Sequence, residues 1–510
     1  MKHDKIEVYA LSSYEQVVVD ETTTSLLNKV IAKWHMQMTP QQLLALRTNL
    51  MHLVHKYGKD LPVGTGFSGC DIASHMLTEF SRAWSTMFGV EINFKVLLAC
   101  ERSEKKRAFL QSQHELVHLV EDMATLKQDR LTDVRTNSEF LMPWLFGFFA
   151  GFPCVSRSSL NKNAPANLGC IAKGTGETGA GYTMIVDFLT RHSPAFVVLE
   201  NNPGLLQSDE DGSCDADFVK QNLFDIGYMV TQLDVECRDH GSFAARRRLL
   251  WVAFRRGLSE VDPTTKIHDT MLTLRTTPMQ IEHIICNDEE KRAATMMRLN
   301  LQSIDTMARP SKLLKTDPNF CDEHHFLYKA LGFSWPPKLG PEFKGSHMLS
   351  ERQQQIWWLL HTLFECPPNS AQFVDLNPRL GRLVGLASHG SKVGFKACKE
   401  KDLINMDIDV QKADLRDPWS TNTMFTLTAQ AMVVMRQNRE GLGVSTRVLE
   451  AYEHMAFIGW DQHLWTPLTS EASEVCSHEL VRSLAGNAFS IWNIGPALLS
   501  GIASFPITSA

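Results

Sequence analysis

A cysteine stands where a buried strand is expected to end. The apolar run 144–150 leads into the turn Gly-Phe-Pro-Cys, which ends at Cys154, and glycine and proline end a strand abruptly. In open α/β sheets, ligands and catalytic groups collect at the carboxyl ends of the strands. The position therefore suits a nucleophilic Cys154. Free cysteine is also among the most buried residue types, so a small core side chain is the alternative.

A carboxylate follows the next strand candidate. The apolar run 195–199 precedes Glu200, which opens a turn of sequence Glu-Asn-Asn-Pro-Gly. Because the carboxyl ends of parallel strands share one edge of a sheet, Glu200 and Cys154 are predicted to lie at the same edge. Partial desolvation raises the pKa of a carboxyl group and suits it to hold or donate a proton. A turn with no other role is the alternative.

Three arginines precede the strand candidate 249–254. They are Arg246, Arg247 and Arg248, and by strand alternation Arg246 and Arg248 share one face while Arg247 takes the other. Together they predict a focused positive site at the mouth of that strand. A solvated, charged strand entry is the alternative.

The first strand candidate ends in a glycine-rich loop. Residues 64–69 match G-x-G-x-x-G, and the second strand candidate ends at Glu101. Glycines let the backbone turn sharply and approach a ligand, and an acidic residue after the second strand typically binds a ribose hydroxyl. The pair indicates an adenosine-containing ligand without choosing between NAD and S-adenosylmethionine. A surface carboxylate at a strand end is the alternative for Glu101.

A second small-residue segment, Gly486-Asn487-Ala488, is predicted to open the last helix. Backbone amides at a helix start can receive a ligand oxygen. A helix start without a ligand is the alternative.

Strand and helix candidates alternate from residue 59 to about 256. The strand candidates are 61–65, 96–100, 144–150, 195–199, 228–235 and 249–254. The helix candidates between them are 72–87, 103–113, 182–192 and 217–227. Strands separated by helices indicate βαβ units and a mostly parallel sheet.

The same pattern divides the chain into four segments. Residues 1–58 form a mostly helical extension, with one short strand and helices at 29–36 and 40–57. Residues 59–261 form the α/β domain. The alternation of strands and helices is lost in 262–445, which we interpret as a separate irregular domain. Residues 446–510 return to the α/β domain and contain helices, the last of which is 490–504.

The composition is that of a soluble globular protein with more than one domain, since 44% of the 510 residues are hydrophobic and 21% charged. The net charge of −6 argues against an overall basic coat but permits a local basic cleft. Eleven cysteines without a Cys-x-x-Cys pair indicate neither a zinc site nor a disulfide framework. With no signal peptide and no bilayer-spanning run, an intracellular, soluble protein without a metal is expected.

In their order and spacing these motifs resemble the cytosine-5 methyltransferase family over residues 59–256 and 446–510. The matching segments are Phe67-Ser68-Gly69-Cys70-Asp71, Glu101, Asp122-Met123, Gly151-Phe152-Pro153-Cys154, Glu200-Asn201-Asn202, Arg246-Arg247-Arg248, Arg447 to Glu453 followed by Gly459-Trp460, and Gly486-Asn487-Ala488. Five positions depart from the family pattern, namely Asp71 for glycine, Arg102 for an aromatic residue, Val155 and Ala244 for glutamine, and Asn202 for valine.

The resemblance implies an α/β fold: a Rossmann-like, S-adenosylmethionine-dependent methyltransferase sheet with helices on both faces, and a smaller irregular target-recognition domain at 262–445. It implies methylation of carbon 5 of cytosine in DNA, with Cys154 as nucleophile and Glu200, Arg246 and Arg248 acting on the extruded base. The residues implied to bind S-adenosylmethionine are Phe67, Ser68, Gly69, Asp71, Glu101, Asp122, Met123, Pro153, Asn487 and Ala488. Those expected to contact nucleic acid are Ser156, Arg157, Arg379, Arg382, Lys392 and Lys396.

Three other functions compete with a DNA methyltransferase. The same chemistry on RNA is the nearest, and the long insert 262–445 favours DNA because the tRNA-methylating branch is typically compact. The five departures motivate a degenerate, nucleic-acid-binding protein, against which the intact Cys154 and Glu200 argue. A cysteine hydrolase would pair Cys154 with His192 or His240 but leaves the glycine-rich loop unexplained. A eukaryotic source and a DNA substrate would imply the nucleus.

Overall fold

The computed structural model describes residues 25–158, 161, 163–208, 212–258, 262–281, 284–286, 288–304, 307, 343–376, 420–427, 431–460, 463 and 465–505. The short strand predicted before residue 25 lies outside them. No helix of this described part is long and apolar enough to cross a membrane.

A seven-stranded sheet organises the first half of the chain. Its strands are β1 (Asp60–Gly66), β2 (Asn93–Cys100), β3 (His118–Val120), β6 (Gly147–Gly151), β7 (Phe196–Asn201), β8 (Tyr228–Glu236) and β9 (Arg247–Arg255), while β4 (Arg130–Asp133) and β5 (Ser138–Leu141) form a separate hairpin. The spatial order is β3-β2-β1-β6-β7-β9-β8, and β9 alone runs in the direction opposite to the other six strands. The order reverses between β1 and β6, which is where an α/β sheet forms a ligand-binding crevice.

Helices cover both faces of this sheet, as predicted. They are α1 (Leu26–Gln37), α2 (Pro40–Tyr57), α3 (Ile72–Phe88), α4 (Glu104–Gln113), α5 (Gly176–His192) and α6 (Asp215–Asp225). Alternate residues of β7 enter two hydrophobic cores, because side chains of a strand point to opposite faces. Phe196 and Val198 join the first core with α1, α2 and α3, whereas Val197 and Leu199 join the second core with α5 and α6.

The described part of the segment 262–445, which is predicted to be irregular, contains helices and a second sheet. After α7 (Thr264–Thr273), α8 (Glu289–Arg298) and α9 (Glu351–Leu363), an antiparallel sheet of order β11-β10-β12-β13 forms from β10 (Ser370–Asp375), β11 (Ser420–Thr421), β12 (Val433–Arg439) and β13 (Gly443–Val448). Strand β13 runs across the predicted boundary at 445/446.

The chain then returns to the large sheet through α10 (Ala451–Ala456), α11 (Ser470–Val475), α12 (His478–Asn487) and α13 (Ile491–Ala503). A buried bidentate ion pair joins β13 to α10, since both guanidinium nitrogens of Arg447 lie 2.6 Å from the carboxylate oxygens of Glu453. This pair accounts for the late arginine–glutamate motif of the sequence.

Candidate active site

The Gly-Phe-Pro-Cys turn is fastened to the end of β7 by two asparagine side chains. Asn201 Nδ2 donates a hydrogen bond to the carbonyl oxygen of Phe152 (3.0 Å), and Asn202 Nδ2 donates to that of Cys154 (3.1 Å). Cys154 itself is partly exposed and begins the short 3-10 turn Val155–Arg157. The turn is therefore rigidly held while its cysteine stays accessible. Apart from their proximity to Glu200, no sequence pattern indicates this role of the two asparagines.

Glu200 lies at the same sheet edge, as predicted. Gly151 of β6 pairs in register with Glu200 of β7, and Arg248 Nε is 2.7 Å from Glu200 Oε1. Glu200 is 7% exposed. Burial raises the pKa of its carboxyl group, and the neighbouring Arg248 and Arg246 cations oppose that rise.

Arg246 and Arg248 share one face, whereas Arg247 faces away and pairs with the exposed Asp234. Arg246 is buried, and its guanidinium donates to the carbonyl oxygens of Gly486 and Ala488. Burial and the neighbouring Arg248 lower the pKa of Arg246 to about 10, while Glu200, Cys237 and Cys154 oppose this shift. Arg246 thus adds positive charge near the site. Its terminal guanidinium nitrogens, however, bind carbonyl oxygens of the chain rather than the base edge expected for them.

The segment Gly486-Asn487-Ala488 does not open a helix, which corrects the prediction. Asn487 is the last residue of α12, Ala488 caps that helix, and the last helix begins at Ile491. Carbonyl oxygens rather than amides are therefore available here, and Arg246 binds two of them. Glycine is more strongly favoured at helix ends than at helix starts, so this Gly-Asn pair marks the end of α12 rather than the beginning of the last helix.

The glycine-rich loop connects the ends of β1 and β2. Phe67 and Gly69 have positive φ values of 52° and 58°, and the Ser68 hydroxyl donates to the carbonyl oxygen of Cys100 (3.1 Å). Glu101 accepts hydrogen bonds from the amides of Gly69 (3.0 Å) and Ser103 (2.8 Å). Its carboxylate is thereby fixed at the crevice.

The residues around this loop fit the adenosine part of S-adenosylmethionine. A carboxylate has about four acceptor positions, so the two amide bonds leave Glu101 able to accept from ribose hydroxyls. Apolar groups crowd the two glycines nearby: a Cβ atom at Gly66 would lie 2.9 Å from Met123 Sδ, and one at Gly181 would lie 2.8 Å from Pro153 Cδ and 3.4 Å from Phe67 Cζ. Carboxylate and apolar walls together suit a ribose and its planar base.

The carboxylates of two further predicted cofactor ligands, Asp71 and Asp122, each cap a helical segment of the chain. Asp71 is 2% exposed and caps α3 by accepting from the amide of Ser74 (3.2 Å). Asp122 is exposed and caps the 3-10 turn Met123–Thr125 by accepting from the amide of Ala124 (2.9 Å). The substitution of Asp71 for the family's glycine therefore serves a helix start.

The two described residues expected to contact nucleic acid are internal, which corrects that prediction. Arg157 is 1% exposed, donates to the carbonyl oxygens of Ala164 and Gly204 (2.9 Å each), and lies 3.4 Å from the Asp215 carboxylate. Ser156 is buried against Thr178. The other four, Arg379, Arg382, Lys392 and Lys396, lie outside the described residues.

Neither histidine proposed for a cysteine hydrolase faces Cys154. His192 ends α5, just before the amino end of β7, so it lies at the opposite edge of the sheet. His240 is buried, and its Nδ1 lies 3.2 Å from the carbonyl oxygen of Leu274. The arrangement around Cys154 therefore provides a carboxyl group and guanidinium charge rather than an imidazole base.

Comparison with known proteins adds a family match. Residues 67–323 match the sequence model of the protein family described as C-5 cytosine-specific DNA methylase. A search of curated protein sequences finds no match. Among solved structures, the Dnmt2 methyltransferase of S. pombe is similar, with 11% identity and a TM-score of 0.42 over 87% of this chain and 98% of that chain. The Entamoeba histolytica methyltransferase EhMeth has 12% identity and a TM-score of 0.38 over 87% and 98% of the respective chains.

Proposed function

The chain belongs to the C-5 cytosine-specific DNA methylase family, and from that premise we propose that it methylates carbon 5 of cytosine in DNA through a covalent bond between Cys154 and carbon 6. S-adenosylmethionine is the methyl donor of this family. Carbon 5 of an aromatic cytosine is a poor nucleophile, so the enzyme must first make it electron-rich. Everything the site has to supply follows from that requirement.

Cys154 begins the reaction in this proposal. Its thiolate forms a bond to carbon 6 of the extruded base, and the electron pair of the 5,6 double bond moves into the ring. Arg246 and Arg248 place positive charge beside Glu200 in this site. The two asparagine contacts to Phe152 and Cys154 hold the turn in place during the attack.

Glu200 neutralises the negative charge that develops on the cytosine ring. Its carboxyl group, raised in pKa by burial, donates a proton to ring nitrogen 3 and accepts from the exocyclic amine. Arg248 fixes the orientation of that carboxyl group at 2.7 Å. When bound, S-adenosylmethionine supplies the methyl group as an electrophile for carbon 5. The carbon 5 proton then passes to water, the bond to Cys154 breaks as the 5,6 double bond returns, and ring nitrogen 3 gives its proton back to Glu200.

One observation carries this proposal. The register pairing of Gly151 with Glu200 brings the end of the Cys154 turn and the Glu200–Arg248 pair together at one edge of the sheet, beside the crevice that Glu101 borders. A nucleophile, a buried carboxyl group and a cofactor crevice at one edge are what this transfer needs. The long segment between the two halves of the motif set supports DNA as the substrate.

A trapping experiment tests the proposal. The full chain and S-adenosylmethionine are incubated with a pool of duplex DNA carrying 5-fluorocytosine, and the products are separated on a denaturing gel. Fluorine cannot leave carbon 5 as a cation, so a carbon 6 nucleophile stays bound to the DNA. We expect a shifted band that is absent for Cys154→Ala.

The other outcomes discriminate the alternatives. A band with fluorinated RNA and none with DNA would assign the same chemistry to RNA. No band with either nucleic acid, from a folded protein that binds them, would indicate a protein that has lost the chemistry. A band that persists in Cys154→Ala would refute the assigned nucleophile.

A further inference from the structure

An aromatic side chain shares the space beside Glu200. A Cβ atom placed on Gly151 would lie 3.1 Å from Glu200 Oε2 and 3.3 Å and 3.5 Å from Cε1 and Cζ of Phe489. The ring edge and the carboxylate oxygen therefore border the same point, which glycine leaves open. Phe489 was not among the residues singled out by sequence.

Phe489 is held at this point by its neighbours in the chain. The carbonyl oxygen of Ala488, immediately before it, is bound by the Arg246 guanidinium. Ile491, two residues after it, donates its amide to the carbonyl oxygen of Ile458 (3.0 Å). The ring packs partly against the first core and stays partly exposed. An apolar ring that is fixed at its base and partly exposed beside Glu200 is suited to receive a ligand.

We propose that Phe489 forms the wall of the base pocket and packs its ring against the ring of the extruded cytosine, so that it is a binding residue for the target base. This inference rests on the proposed function. Glu200 reads the polar edge of the base, and a pocket that binds one edge still needs a surface for the planar ring. Base–aromatic stacking provides such a surface and tolerates any planar base. Discrimination then comes from Glu200, and retention of the extruded base comes from Phe489.

The test compares binding with and without the target base. The probes are a duplex in the sequence context trapped from the pool, and the same duplex with an abasic site in place of the target cytosine. Phe489→Leu removes the aromatic ring but keeps an apolar side chain. Phe88→Leu is the matched control, because Phe88 is also partly buried on the first core and ends α3, away from the carboxyl edge.

We expect Phe489→Leu to weaken binding of the cytosine duplex by about 5- to 100-fold, to leave the abasic duplex unchanged, and to leave the KM for S-adenosylmethionine unchanged. Phe88→Leu should alter none of these values. An equal loss on both duplexes would mean that Phe489 supports the fold or the backbone contacts, and would overturn the inference. So would a change confined to the donor KM, or no change at all.

The outcome also separates this inference from the function on which it rests. If the wild-type chain forms the covalent complex and Phe489→Leu binds both duplexes as the wild type does, only the role of Phe489 fails. If the wild-type chain forms no covalent complex with fluorinated DNA or RNA, the proposed function fails and the inference with it.

Discussion

At the residue scale, Glu200 combines two opposing influences. Burial favours its neutral form, and the Arg248 and Arg246 cations favour its charged form. In the proposed reaction, the raised pKa lets Glu200 donate a proton to the base, and the Arg248 contact orients its carboxyl group. Either influence alone would produce a less useful group: a buried acid without orientation, or a permanently ionised partner of arginine.

Glu200→Gln tests the catalytic part of this balance. Glutamine keeps the shape and can still hydrogen-bond, but it cannot transfer a proton to the ring. We expect methyl transfer to slow by about 10²- to 10⁴-fold, the usual size of a general-acid contribution. This rate would be measured by single-turnover methylation of a duplex with the sequence recovered in the trapping experiment. A rate within the error of the wild type would show that no proton passes through this side chain.

The same variant tests the pH dependence of stability. Because the folded-state pKa of Glu200 lies above its unfolded value, the folded chain holds a proton that the unfolded chain has lost. Stability from this group is complete below the unfolded pKa of about 4.3 and is lost as the pH rises through the folded pKa. Urea unfolding at several pH values should show the wild type losing stability relative to Glu200→Gln over that range. Parallel curves would contradict the raised pKa.

Arg157 shows what residue type alone cannot reveal. An arginine three positions after a nucleophile reads as a phosphate contact. In the fold, its charge is instead satisfied by Asp215 and by carbonyl oxygens of Ala164 and Gly204, which come from separate segments of the chain. Buried charges require such partners. Since those partners are distant in sequence, only the assembled fold identifies them.

At the element scale, Asn202 is a second departure from the family pattern with a structural purpose. Its Nδ2 donates to the Cys154 carbonyl oxygen (3.1 Å), and its Oδ1 accepts from the amide of Gly204 (2.7 Å). One side chain thus connects the Gly-Phe-Pro-Cys turn to the turn that follows β7. The valine usual in the family could make neither bond.

Asn202→Val therefore tests whether the turn needs this tie. Three hydrogen bonds are lost, because Asn202 Nδ2 also donates to Asn201 Oδ1 (3.3 Å). Each is worth about 1 kcal/mol, so we expect a stability loss of about 1–3 kcal/mol. Covalent trapping should also slow, because Cys154 is less firmly held. Urea unfolding and the rate of band formation measure the two effects. Asn202→Asp keeps the acceptor for Gly204 and is the comparison variant, and a normal trapping rate in Asn202→Val would show that Asn201 suffices.

Elements with strong local patterns were predictable from sequence, and those that depend on distant pairing were not. The prediction found the six longer strands of the main sheet and the helices between them, because each carries a continuous apolar run or a helical period. It missed β3, of three residues, the hairpin of β4 and β5, and the four-stranded sheet. Strand β10 pairs with β12, with Ser370 opposite Asn438. The paired residues are far apart in the sequence, so no local sequence pattern predicts this sheet. Cys154, Glu200 and the arginines were singled out because each adjoins a local strand pattern. Phe489 was not, because only the fold brings it beside Gly151 and Glu200.

At the scale of the whole molecule, the two ends of the described chain cover the same face of the sheet. Helices α1 and α2 from the beginning and α13 from the end all enter the first core. Asn49 Nδ2 of α2 donates to the carbonyl oxygens of Ile502 (3.0 Å) and Ala503 (2.9 Å) at the end of α13. The predicted extension is therefore part of the main core rather than an appendage to it.

Helix α13 also contacts the strands that carry the candidate active site. Asn493 is fully buried and its Nδ2 donates to the carbonyl oxygens of Val235 (3.1 Å) and Arg246 (3.2 Å). The backbone position of Arg246 is thus set by a helix that is itself packed against α1. A change in that packing should be transmitted to the arginine that binds Gly486 and Ala488.

Gly495→Ala tests this long-range dependence. A Cβ atom there would lie 2.7 Å from two carbons of the Trp34 ring, and Trp34 cannot yield freely because its Nε1 donates to the carbonyl oxygen of His240 (3.2 Å). Alanine would otherwise favour the helix by about 1 kcal/mol. Because overpacking costs about 1–3 kcal/mol, we expect a net loss of stability in urea unfolding.

The double variant Gly495→Ala/Trp34→Phe distinguishes overpacking from other causes. Phenylalanine is smaller than tryptophan, so the pair should recover part of the stability that Gly495→Ala loses, although Trp34→Phe alone leaves a cavity and destabilises. Additive losses would contradict a direct clash between the two positions. If the trapping rate of Gly495→Ala falls at temperatures where it is fully folded and recovers in the double variant, the packing of α1 on α13 controls the geometry at Arg246, because Asn493 is the link between them. A wild-type rate in Gly495→Ala would instead confine α13 to holding the sheet.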